Sequence, residues 1–257
     1  MIIDTHAHYD DEAFDEDRDA LLLSLREAGV GIAVNIGASL ESSRRTAALA
    51  AKYSFLYGAV GVHPDSAAEL DEAGMRELSC LSDGEKIVAV GEIGLDYYWD
   101  TAPREVQKYW FERQLALALE KDLPVVIHSR EAVQDTLEIM RRTYQVSEGK
   151  LRGVIHCFSG SAETAKEYTG MGFYIGVGGV VTFKNGKKLK EVVETIPLDK
   201  LVIETDCPYL APVPYRGKRN DSTYLPFVIA EIARLRGISE EETERITEQN
   251  ARALYGF

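Results

Sequence analysis

Short apolar runs alternate with amphipathic stretches eight times along the chain. The runs fall at residues 2–4, 31–36, 55–62, 87–91, 124–128, 153–156, 173–177 and 201–206. They are rich in Val and Ile, with apolar side chains on both alternations, the pattern of strands buried on both faces. Between them a helical period is found at 19–28, 40–53, 104–120 and 132–144, and a final pair of helices is predicted at 224–236 and 240–254. Ser239 with Glu242 three positions on is a capping box that opens the last of these. A strand–helix unit of about 30 residues, repeated along one chain, predicts a single α/β domain over residues 1–257. Its architecture is expected to be a (β/α)8 barrel of the TIM type, with the active site at the C-terminal end of the strands. A doubly wound open sheet gives the same alternation, so the pattern by itself leaves closure open. No internal repeat, low-complexity tract or Pro/Gly-rich linker interrupts the order.

The polar residues that close the runs carry the chemistry. The chain has five histidines, His6, His8, His63, His128 and His156, and each stands at the carboxyl end of a predicted strand. Glu92 and the pair Glu204 and Asp206 end strands in the same way. His6 and His8 are two apart, so both imidazoles face one side of an extended strand. Each residue alone has an ordinary structural reading: a hydrogen-bonded core histidine, or for Glu92 an ion pair with Arg130. Glu204 and Asp206 on one face repel unless a cation lies between them. Together, four imidazoles and two or three carboxylates read as a site for one or two divalent ions with mixed nitrogen and oxygen ligation, open to Zn, Mn, Fe or Mg. Cys157 and Cys207 each follow a candidate ligand, and strand alternation turns them away as small buried hydrophobes.

Apolar residues make up 45% and charged residues 28% of the chain, which excludes wholesale disorder. No apolar run reaches the roughly 18–20 residues that span a bilayer. The opening residues have no basic leader pattern, and three cysteines without a CxxC motif suit a reducing compartment. The expectation is therefore a cytoplasmic protein, with no membrane and no obligate protein partner. The net charge of −13 argues against nucleic acid until its distribution is examined. Residues 1–129 carry 11 basic and 24 acidic side chains, whereas residues 130–257 carry 18 of each. Two segments contain bases and no acids: 168–190, with Lys184, Lys187, Lys188 and Lys190, and 207–220, with Arg216, Lys218 and Arg219. Their bases, Lys184 to Lys190 and Arg216 to Arg219, follow the seventh and eighth strands, whose loops form phosphate sites in many barrels. A short or single-stranded nucleic acid would be gripped there weakly and salt-dependently.

These residues resemble the TatD family of metal-dependent deoxyribonucleases, within the amidohydrolase-like barrels. The resemblance rests on Asp4-Thr5-His6-Ala7-His8, Gly61-Val62-His63-Pro64, Gly91-Glu92-Ile93-Gly94-Leu95-Asp96, His128-Ser129-Arg130, His156-Cys157-Phe158-Ser159-Gly160, Glu204-Thr205-Asp206 and Arg216-Gly217-Lys218-Arg219-Asn220. It implies that His6, His8, Glu92, His128, His156 and Asp206 hold the metals, one or two divalent ions such as Zn, Mg or Mn. It also implies cleavage of phosphodiester bonds in DNA, as a 3′–5′ exodeoxyribonuclease on single strands. Asp206 and Glu92 would be catalytic, and His63, Arg216, Lys218 and Arg219 would contact substrate. An ester hydrolase such as a D-aminoacyl-tRNA deacylase is the alternative on the same metals, and a metal-stabilised binding protein is the alternative of another class. The chain departs from the family at Asp221-Ser222, where Glu-Pro is usual, at Cys207 and at Tyr215.

Overall fold

A computed structural model describes residues 1–257. Its strands are β1 (Ile2–Ala7), β2 (Val30–Ile36), β3 (Leu56–Val60), β4 (Ile87–Asp96), β5 (Val125–Arg130), β6 (Gly153–Ile155), β7 (Tyr174–Val177) and β8 (Leu201–Ile203). Nine α-helices accompany them: α1 (Arg18–Ser24), α2 (Leu40–Lys52), α3 (Glu72–Leu81), α4 (Arg104–Glu120), α5 (Val133–Val146), α6 (Ala162–Gly170), α7 (Lys187–Thr195), α8 (Leu225–Arg236) and α9 (Glu240–Tyr255). The strands are parallel and follow the order β1 to β8 in one sheet. A further parallel bridge joins Ala7 to Cys207, just beyond β8. This is the strand order of the (β/α)8 barrel, and the open-sheet alternative is set aside. No helix is long and apolar enough to cross a membrane.

Two compact units make up the chain. The first comprises Met1–Asn35, His156–Gly170 and Tyr174–Phe257. Here β1 is buried at every position, and α8 and α9 bring Leu225, Ile229, Ile232, Ala251 and Leu254 into the core. Ser239 accepts a hydrogen bond from the Glu242 backbone N–H, so the expected cap opens α9. The second unit comprises Ile36–Ile155 with Met171–Phe173. Within it Ser39 caps α2 and Asp71 caps α3, each accepting a backbone N–H three residues on.

Strand ends differ from the sequence reading in an instructive way. Strand β4 runs to Asp96, five residues past its predicted end, and all ten of its residues are buried. Glu92 and Asp96 break the apolar run without breaking the pairing, which continues through Gly94 opposite His128 and Asp96 opposite Arg130. Gly94 is required there: a Cβ at this position would lie 1.9 Å from the His128 carbonyl oxygen. Strand β8, by contrast, stops at Ile203. Asp206 adopts a left-handed conformation (φ +56°), which turns the chain off the strand direction.

Candidate metal centre

In the first unit the end of β1 and the segment after β8 are laced together by backbone bonds. The Asp206 N–H donates to the His6 carbonyl at 2.9 Å, and the His8 N–H donates to the Cys207 carbonyl at 2.9 Å. This lacing brings the side chains to one point. His6 Nε2 and His8 Nε2 lie 3.0 Å apart, as the two-residue spacing predicts. Asp206 Oδ1 stands 3.6 Å from His6 Nε2 and 3.4 Å from His8 Nε2. The His156 ring, one residue past β6, stacks on His6 with centroids 3.9 Å apart. One ligating atom each from His6, His156 and Asp206 falls within 4.8 Å of the others. Burial works against the Asp206 charge, but the bond with His8 and the neighbouring imidazoles outweigh it and hold its carboxyl below the usual value.

Beneath this cluster lies a second carboxylate that the sequence reading left unassigned. Asp4 is fully buried and accepts hydrogen bonds from the Thr205 N–H (3.0 Å), Thr205 Oγ1 (2.6 Å) and Ser222 Oγ (2.6 Å). Burial pushes its carboxyl up to about 6 despite these bonds. Tyr9 completes the group, its hydroxyl 2.6 Å from Ser222 Oγ and accepting the Ser222 N–H at 3.0 Å. Ser222, at a position where the resemblance implies proline, thus supplies a donor to Asp4. Asp221 caps the turn that follows by accepting the Thr223 N–H.

In the second unit His63, Glu92 and His128 converge, with ligating atoms within 4.8 Å of one another. Glu92 Oε1 lies 2.9 Å from His128 Nδ1 and 3.7 Å from His63 Nε2. The other nitrogen of His128, Nε2, is 3.0 Å from Asp96 Oδ2. Burial alone would lower the His128 pKa, yet the bonds to Asp96 and Glu92 prevail and raise it to about 9. For Asp96, burial is likewise overcome by His128 and by the Tyr98 and Trp99 N–H groups, and its carboxyl falls to about 2. The structural alternative for Glu92, an ion pair with Arg130, is not what forms: the Arg130 guanidinium lies over the Tyr98 ring at 4.0 Å.

The sequence reading left His63 outside the ligand set as a substrate contact, and the structure groups it with Glu92 and His128. It missed Asp96 and Asp4, although strand spacing was the available signal: Asp96 shares a face with Glu92, and Asp4 with His6. Glu204 does not extend Asp206 along a strand face. Its Oε1 accepts the Cys157 N–H at 2.5 Å, and burial pushes its carboxyl up to about 8. Cys207 is buried as expected, but Cys157 has φ +42° and, contrary to the alternation argument, lines a cavity beside Asp206. Among the basic residues, Arg219 is engaged by both Asp17 oxygens at 2.8 and 2.6 Å and by the Ala13 carbonyl. Arg216 lies over the Phe183 ring at 4.3 Å, and Lys218 is exposed.

The donor chemistry fits divalent cations. Imidazole nitrogens and carboxylate oxygens suit Zn and Mn, and carboxylates suit Mg. Buried carboxylates such as Glu92 are costly without a positive partner.

A model of the family described as TatD related DNase matches residues 3–256. The uncharacterized metal-dependent hydrolase YabD of Bacillus subtilis is 43% identical over 255 residues, which cover 99% of both chains. The 3′-5′ ssDNA/RNA exonuclease TatD of Cronobacter sakazakii is 34% identical, over 94% of this chain and 93% of its own. Among solved structures, the TatD homolog YjjV from Escherichia coli superposes with a TM-score of 0.93 at 32% identity, covering 100% of this chain and 98% of its own.

Proposed function

Because the chain belongs to the TatD-related DNase family and is a metal-dependent hydrolase, we propose that it removes nucleotides from the 3′ end of single-stranded DNA or a related strand. In this reading residues 1–257 act as one catalytic domain in the cytoplasm, in keeping with three cysteines that form no disulfide. His6, His8, Glu92, His128, His156 and Asp206 hold one or two divalent ions. The observation that carries the proposal is Asp206, a half-buried carboxylate three residues past β8, set 3.4 and 3.6 Å from two imidazole nitrogens.

A bound divalent ion supplies a Lewis acid for the phosphoryl group and acidifies water. The side chains do the rest. Asp206 orients the attacking water and takes its proton at Oδ1, a role suited to a carboxyl that the imidazoles keep ionised. Glu92 adds negative charge that fixes cations among the histidines. His63 Nε2 stands 3.7 Å from the same carboxylate, and in this reading it contacts the scissile phosphate. Arg216 and Lys218 attract the sugar–phosphate backbone, whereas Arg219 shapes the loop through Asp17. The relative named as a 3′-5′ ssDNA/RNA exonuclease supports this substrate class.

The test uses end-labelled single-stranded DNA with Mg, Mn or Zn, in parallel with a D-aminoacyl-tRNA, each with and without chelator. The expected result is chelator-sensitive laddering from the 3′ end. Ester release without laddering would assign the deacylase chemistry instead, and neither activity would leave a binding protein.

A further inference from the structure

Beside Asp206 the first unit contains a cavity of about 310 Å³. Phe158, Val180, Leu189 and Leu210 form apolar walls, and Glu204 and Asp206 lie on its polar side. Glu204 is only 1% exposed, and its Oε2 has no hydrogen-bond partner. At the rim stand Lys187 and Lys188, both exposed and without an ion pair, in a segment that has no acidic side chain from residue 168 to 190.

We propose that this cavity seats one nucleobase of the substrate strand, next to the reacting phosphate. The inference rests on the proposal that the substrate is a nucleic-acid strand, and it names the part of that substrate the enzyme encloses. Three properties select the occupant. The volume is at the small end of the ~300–1,000 Å³ range of ligand pockets, suited to a single planar ring system and too small for an oligomer. The apolar walls accept ring faces and exclude a phosphate or a bare sugar. A base edge also presents N–H donors, which an oxygen of Glu204 accepts. The two lysines outside then match the anionic backbone on either side of the enclosed nucleotide. Enclosing a base adds binding that duplex DNA cannot obtain while its bases are stacked, which favours single strands.

The experiment compares the metal-loaded full chain with Val180→Trp, which fills the cavity from a half-buried position, and with the double variant Lys187→Glu, Lys188→Glu. Calorimetry measures binding of deoxycytidine 5′-monophosphate and of deoxyribose 5-phosphate, which lacks the base. The parent protein is expected to bind the nucleotide at least tenfold more tightly, and Val180→Trp to erase that preference. The lysine variant should weaken both probes together and keep the preference. Equal binding of the two probes by the parent, or an unchanged preference in Val180→Trp, would overturn the inference. Circular dichroism and metal content check that Val180→Trp is folded and loaded, and laddering of single-stranded DNA runs alongside. Strand cleavage without a base preference defeats the cavity alone. A base preference without cleavage of any strand defeats the nuclease reading alone.

Discussion

Asp96 accepts from three directions at once. Its Oδ2 faces His128 Nε2, and its Oδ1 takes the N–H groups of Tyr98 and Trp99 at 2.9 and 3.0 Å. Fixing Nε2 in this way leaves His128 Nδ1 toward Glu92, the outer-carboxylate arrangement that orients metal-ligating histidines. With His128 holding metal as proposed, Asp96 is a positioning residue. Asp96→Asn keeps the shape and removes the charge, and it is expected to lower metal affinity and activity by about 10–100-fold. Metal titration and circular dichroism check this, since an unchanged metal affinity would deny the role. Why the sequence reading passed over Asp96 is also a residue-scale matter. A histidine at a strand end stands out against Val and Ile, whereas Asp96 lies five residues beyond 91, where the apolar run of β4 ends. Cys157 was misplaced for a related reason: alternation holds only while the chain stays extended, and φ +42° ends it there.

Elements are held by local and by crossing interactions, and only the local ones are visible in the chain order. The Ser239 cap of α9 was legible because both partners lie within four residues. The link between α7 and α8 was not: Lys190 Nζ reaches Glu231 Oε1 at 2.8 Å, and Arg234 Nε holds its other oxygen at 2.8 Å. Hydrogen bonds from Arg234, then Lys190, prevail over burial and lower the Glu231 carboxyl to about 2. A folded-state value below the unfolded one of about 4.3 stabilises the protein above that pH, and the gain is lost as pH falls toward 2. Glu231→Gln is expected to cost about 0.5–1 kcal/mol at pH 7, the range of partly exposed ion pairs. Urea unfolding at several pH values should show that difference shrinking from about pH 4 downward. A cost that stays constant to pH 2 would rule out the charge as its origin.

At the scale of the molecule, alternating strands and helices specified α/β layering but not closure. Closure depends on the bridge between Ala7 and Cys207, 200 positions apart, to which no local pattern points. The candidate ligands were legible for a topological reason: parallel strands present all their carboxyl ends to one edge, so a polar residue ending each apolar run marks that edge. The supporting shell was not legible, because Asp4, Thr205 and Ser222 meet only through the fold. The charge asymmetry follows the same division, with basic segments confined to the later part of the chain. What unites the account is cation binding by these histidines and carboxylates. The most direct measurement is the metal content of the full chain after chelator stripping and reloading with Zn or Mn, for the parent, Glu92→Gln and Asp206→Asn. The account predicts one or two equivalents bound by the parent, with at least one lost in each variant while the fold is retained. Uptake no greater than that of a metal-free control protein, or uptake unchanged by both substitutions, would contradict it.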